Sequence, residues 1–88
     1  MKMIIAILRD VDSDPVSHAL TSQSYRVTVI ASTGGFLRRG NTTLLIGTED
    51  EKVDHALEII RQSCTPASEP NAKRATIFVI KVDQYTHF

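Results

Sequence analysis

Residues 33–43 read Thr-Gly-Gly-Phe-Leu-Arg-Arg-Gly-Asn-Thr-Thr and sit between two strand-like runs. No helix-length segment parts those runs, so the two strands follow one another directly, as in a long hairpin. Everything before and after this stretch then reads as strand, helix and strand, and few topologies accept that order.

Upstream, residues 2–8 form a nearly continuous apolar run rich in isoleucine. Such a run fits a central strand, covered on both faces or closed within an oligomer. Residues 10–14 are polar and offer several N-caps, and Pro15 suits a first helical position, where its missing N–H is not needed. A helix from there to about Ser24 would bury Val16, Ala19 and Leu20 at i, i+3, i+4 spacing. Residues 25–32 alternate: Tyr25, Val27, Val29 and Ala31 face one way, and Arg26, Thr28, Ile30 and Ser32 the other.

Downstream, residues 42–47 are a second apolar run containing Leu44, Leu45 and Ile46. Thr48 and Glu51 match a capping box, and Val53, Ala56, Leu57 and Ile60 supply the stripe of the helix it would open. Residues 65–74 hold two prolines and read as a loop. Residues 75–82 close the chain's last strand, with Thr76, Phe78, Ile80 and Val82 on one face.

Strand, helix, strand, strand, helix, strand is the ferredoxin-like βαββαβ order. It is an α+β fold with an antiparallel four-stranded sheet and both helices on one face. The other sheet face is then bare, and ring formation through those faces would cover it. A chain of 88 residues is expected to be one domain, residues 1–88. At that length it buries only about 60–65% of its unfolded surface, another reason to associate.

Ten basic and ten acidic residues cancel. Binding to a nucleic-acid polymer through bulk charge is therefore not expected, whereas a local cluster of Arg26, Arg38 and Arg39 suits a small nucleotide. The single cysteine, Cys64, fits a reducing cytoplasm. The opening apolar run is too short to span a bilayer, so a soluble cytoplasmic protein without membrane insertion is expected.

The glycines of residues 33–43 let the backbone approach a ligand closely, and successive N–H groups there can converge on an anion. The arginines add planar cationic forks, and Asn41 offers a donor and an acceptor to a base edge. The segment suits a ligand both phosphorylated and heteroaromatic. Blander readings stand beside this one. The glycines could only shape a hairpin, Arg38 and Arg39 be solvated, Thr28 be a good strand former, Phe78 be core or interface, and Gly47 end its strand. No nucleophile–base pair or converging carboxylates are visible, so no catalytic residue is expected. His55, Cys64 and His87 lack metal-ligand spacing, and residues 10–14 lack the glycine and glutamate of a calcium loop, which leaves helix capping as their role. No metal and no cofactor are expected.

The chain resembles the cyclic di-AMP receptors of the PII-like signal-transduction superfamily. The resemblance rests on Lys2-Met3-Ile4-Ile5-Ala6-Ile7, Asp10-Val11-Asp12-Ser13, Tyr25-Arg26-Val27-Thr28 and, above all, Ser32-Thr33-Gly34-Gly35-Phe36-Leu37-Arg38-Arg39-Gly40-Asn41-Thr42-Thr43. It resumes at Ala75-Thr76-Ile77-Phe78-Val79-Ile80 and Val82-Asp83-Gln84-Tyr85. It implies a homotrimer that senses rather than catalyses, holding cyclic di-AMP in clefts between subunits and signalling to a downstream protein whose identity is unknown. Positions matching the family's ligand contacts are Arg26, Thr28, Gly35, Phe36, Leu37, Asn41, Gly47 and Phe78. Gly34 and Arg38 border them, and His87 stands where the family favours glutamine. The connection at residues 65–74 is much shorter than the family's long loop. In such a site Arg26 and Thr28 would meet phosphate or base edge, Gly34 and Gly35 would offer N–H groups, Phe36 and Leu37 would wall a purine, and Asn41 would pair with adenine. The alternatives are a PII-like sensor of a linear adenine nucleotide (ATP, ADP or AMP) and a trimeric interaction protein without ligand.

Overall fold

The computed structural model describes residues 1–32, 40–65, 75–83 and 86. Strand β1 (Lys2–Arg9) is followed by helix α1 (Asp10–Ser22), β2 (Arg26–Ser32), β3 (Asn41–Thr48), a 3-10 turn (Asp50–Lys52), helix α2 (Val53–Ser63) and β4 (Ala75–Lys81). The four strands form one sheet in the order β2-β3-β1-β4, every neighbouring pair antiparallel. This is the ferredoxin-like α+β arrangement expected from the sequence. The isoleucine-rich run is a central strand, flanked by β3 and β4.

Register explains which residues go inside. One sheet face carries Ile4, Ala6 and Leu8 of β1 and Leu44 and Ile46 of β3, all fully buried. Val16 and Leu20 of α1 and Ala56 and Ile60 of α2 close over them. Each such side chain contributes about 1.5–3 kcal/mol through burial. Cys64 is part of this core.

The first helix starts earlier than the expected Pro15. It begins at Asp10, and Pro15 lies inside it, with no side-chain cap at its N-terminus. The acidic residues therefore do not cap it. Asp10 and Asp12 sit in its first turn, where carboxylates oppose the helix dipole, and both are buried. The Thr42 hydroxyl donates to the Asp10 carboxylate, and the Asp10 backbone N–H donates to the Gly40 carbonyl at 2.9 Å. Asp12 accepts from Arg9 Nε at 3.0 Å and from the backbone N–H and hydroxyl of Thr65 at 3.0 and 2.9 Å. These bonds join the end of β1, the start of β3 and the end of α2.

The capping box is also overturned. Thr48 is the last residue of β3, and neither the 3-10 turn nor α2 has a side-chain cap bond. Strand pairing of Thr48 with Lys2 extends further than the local motif suggested.

Candidate functional site

The chain reverses between α1 and β2 through a turn that sets up the site. Tyr25 N–H donates to the Leu20 carbonyl and Ser24 N–H to the Thr21 carbonyl, at 3.1 and 3.0 Å. Ser24 has φ 70°, in the left-handed region. This is a Schellman close, with serine at the position glycine usually fills. Tyr25 emerges from it into the core, 8% exposed. Alternation then turns Arg26 and Thr28 to the opposite face, where both are exposed.

Cross-strand pairing lays out that open face in rows. Arg26 stands opposite Gly47, which pairs with Met3, which pairs with Ile80. The next row runs Thr28, Leu45, Ile5 and Phe78. A register shift between Val29 and Ala31 interrupts β2 beyond it.

At the Gly47 end of this face lies a concavity of about 650 Å³. Arg26, Thr28, Leu45 and Gly47 form its floor on β2 and β3. Met3 and Lys2 of β1 line it with Met1 and Val82, the last two joined by Val82 N–H donating to the Met1 carbonyl at 3.0 Å. Apolar methionine, leucine and valine thus share one hollow with an arginine and a lysine. The Met1 amine lies 3.1 Å from Asp50, and its hydrogen bond holds that carboxyl below its ordinary range, with Lys2 and Lys81 adding to the effect.

Gly47 needs no special backbone, and among the described residues a Cβ there would meet only the Met1 Cε at 4.0 Å. Neither its conformation nor crowding by the described residues explains the glycine. The small residue instead opens the floor beside Arg26. A second concavity, of about 450 Å³, adjoins the first. It shares Met1, Arg26 and Gly47, and continues toward Tyr25, Lys52 and His55 at the start of α2. The Tyr25 hydroxyl lies 2.7 Å from His55 Nδ1 and donates to the Lys52 carbonyl at 3.3 Å.

Of the residues singled out in the sequence, Arg26, Thr28 and Gly47 line one hollow. Asn41 is exposed at the other end of β3, six residues or about 20 Å from Gly47 along the strand. Phe78 lies on the same face as Thr28 but three strands across, about 14 Å away. Neither lines the hollow formed within this one chain by the described residues. Gly34, Gly35, Phe36, Leu37, Arg38 and His87 lie outside the described residues, as do Arg39 and the connection at 66–74.

Sequence reasoning passed over Lys2, Met3, Leu45 and Val82 as lining residues. Period two marks Leu45 as sharing a face with Gly47, but the pairing that brings Met3 alongside is a long-range register. His55 is exposed, yet tied to Tyr25. Among the described residues no cluster of His, Cys, Asp and Glu could hold a metal ion, and no helix is long and apolar enough to cross a membrane.

Residues 1–70 match the family described as "Cyclic-di-AMP receptor". The chain is also similar to a solved structure described as "a functionally unknown protein from Pediococcus pentosaceus ATCC 25745". The two are 38% identical, with a TM-score of 0.81 over 99% of this chain and 96% of that one.

Proposed function

The chain belongs to the cyclic-di-AMP receptor family, and we propose that it is a PII-like signal-transduction protein, one domain over residues 1–88, whose homotrimer binds cyclic di-AMP in clefts between subunits. It acts as a cytoplasmic binding protein rather than a catalyst. It passes the ligand's presence to a downstream protein through a change in the segments around the cleft.

The observation that carries this reading is the hollow floored by Arg26, Thr28 and Gly47. A guanidinium beside a hydroxyl and a residue without a side chain suits a phosphodiester lying close to the sheet. Met3, Leu45 and Val82 offer apolar walls for a base or ribose. Two further facts support a cleft completed by a neighbour. Asn41 and Phe78 stand well outside the hollow within one chain, so a second copy is the simplest way to bring their chemistry to it. The open face also carries Phe78 and Ile80 at 53% and 45% exposure, on a sheet whose edge strands are different segments, β2 and β4. Two unlike apolar edges favour a head-to-tail contact, which closes as a ring when the rotation permits.

Titration calorimetry with cyclic di-AMP and cyclic di-GMP, together with light scattering on the same sample, tests the proposal. Binding of the first over the second by a particle of three chains is the expected result. A single-chain mass, or no heat with cyclic di-AMP, would overturn it. Tighter binding of AMP, ADP or ATP than of cyclic di-AMP would reassign the ligand to a linear adenine nucleotide.

A further inference from the structure

The Arg26–Gly47 pair separates the two adjoining concavities. On the open-face side the lining is methionine, leucine and valine with an arginine and a lysine; on the other it is the Tyr25–His55 pair and Lys52 together with Glu49 and Glu51. A cyclic dinucleotide has matching geometry: two nucleosides on either side of an anionic ring of two phosphodiesters. We infer that the second concavity is a nucleoside subsite, so that the ligand straddles the Arg26–Gly47 pair. One nucleoside would lie over Thr28 and Leu45, and the other against His55. This deepens the cyclic di-AMP reading above and rests on it.

Three features assign the halves. Arg26 borders both concavities, so a single guanidinium can hold the phosphodiester between them. Glu49 and Glu51 oppose phosphate in the second concavity and instead accept from ribose hydroxyls or an exocyclic amine. A neutral nucleoside therefore fits there better than an anion. The third feature is the ring pair. Tyr25 and His55 have centroids 5.8 Å apart and planes tilted by 36°. Tyr25 is buried and His55 exposed, so the imidazole is the ring a base would meet. Its Nδ1 is engaged by the Tyr25 hydroxyl, which fixes the ring before ligand arrives and lowers the ordering cost of stacking. With Nδ1 engaged, Nε2 is the nitrogen a ligand would meet.

The test uses the full chain, with cyclic di-AMP as the calorimetric probe. His55→Ala should weaken cyclic di-AMP roughly tenfold, the scale of one lost stacking contact. His55→Phe, which keeps an aromatic face, should bind cyclic di-AMP within about threefold of the parent. In the unmodified protein, the His55 ring resonances should shift on saturation with cyclic di-AMP. Unchanged affinity in His55→Ala, or unmoved His55 resonances at saturation with cyclic di-AMP, would overturn the straddle and leave the receptor reading standing. If the unmodified protein does not bind cyclic di-AMP, both fail together.

Discussion

Among the described residues, a methyl group added at Gly47 would meet nothing nearer than the Met1 Cε, so the fold should tolerate a larger residue that the proposed ligand would not. Gly47→Val should be as stable as the parent or slightly more so, since strand propensities span about 1 kcal/mol. It should nevertheless bind cyclic di-AMP roughly tenfold more weakly by crowding the hollow. Denaturant unfolding beside calorimetry separates the two effects. Arg26→Ala removes a charged hydrogen-bond donor worth about 1.5–3 kcal/mol, a ten- to hundredfold loss of affinity by titration. Asp12 poses a different case, because it is fully buried and holds Arg9 and Thr65 together. Asp12→Ala should destabilise by about 2–4 kcal/mol in urea, near the lower end for breaking buried pairs because Arg9 is partly exposed. The shared face of Arg26 and Thr28 was legible from period two alone. That Gly47 stands opposite Arg26 was not, because register belongs to a pair of strands and neither strand encodes it singly.

The turn from α1 into β2 places a serine where left-handed backbone favours glycine. Ser24→Gly should stabilise the chain by about 1 kcal/mol, read as a raised midpoint in chemical unfolding. On α2, Arg61 donates from Nε to Glu58 at 3.0 Å, and its guanidinium also pairs with the other carboxylate oxygen. The hydrogen bond from Arg61 is the main cause holding the Glu58 carboxyl below its ordinary value. Its contribution to stability is therefore present above the unfolded value and fades as pH falls through the lower folded one. In an NMR titration Glu58 should turn over at lower pH than in Arg61→Ala, where it should return to the ordinary range. Element types and order were readable because hydrophobic period and punctuation agree over most of the chain. Helix starts were not. Asp10 and Asp12 looked like caps, yet their carboxylates are committed to Thr42, Arg9 and Thr65. Thr48 looked like a cap, yet strand pairing claims it. In each case a distant partner outweighs the local motif.

Across the whole molecule, the helices cover one side of the sheet and leave the rows Arg26–Gly47–Met3–Ile80 and Thr28–Leu45–Ile5–Phe78 facing outward. That such a face would be bare followed from the βαββαβ order. Which side chains would populate it depended on the pairing of four separate strands. In the proposed assembly Phe78→Asp should reduce the particle measured by light scattering to a single chain. The variant should stay folded, because Phe78 lies outside the buried core. In that assembly, a face closed by neighbouring copies would link messenger detection to gene dosage. Each bound messenger would tighten the ring, and each ring would sharpen the grip on the messenger, by the reciprocity that governs any pair of coupled equilibria. A cell that synthesises less of this polypeptide would thus respond to a given messenger concentration more faintly than the reduced headcount alone implies.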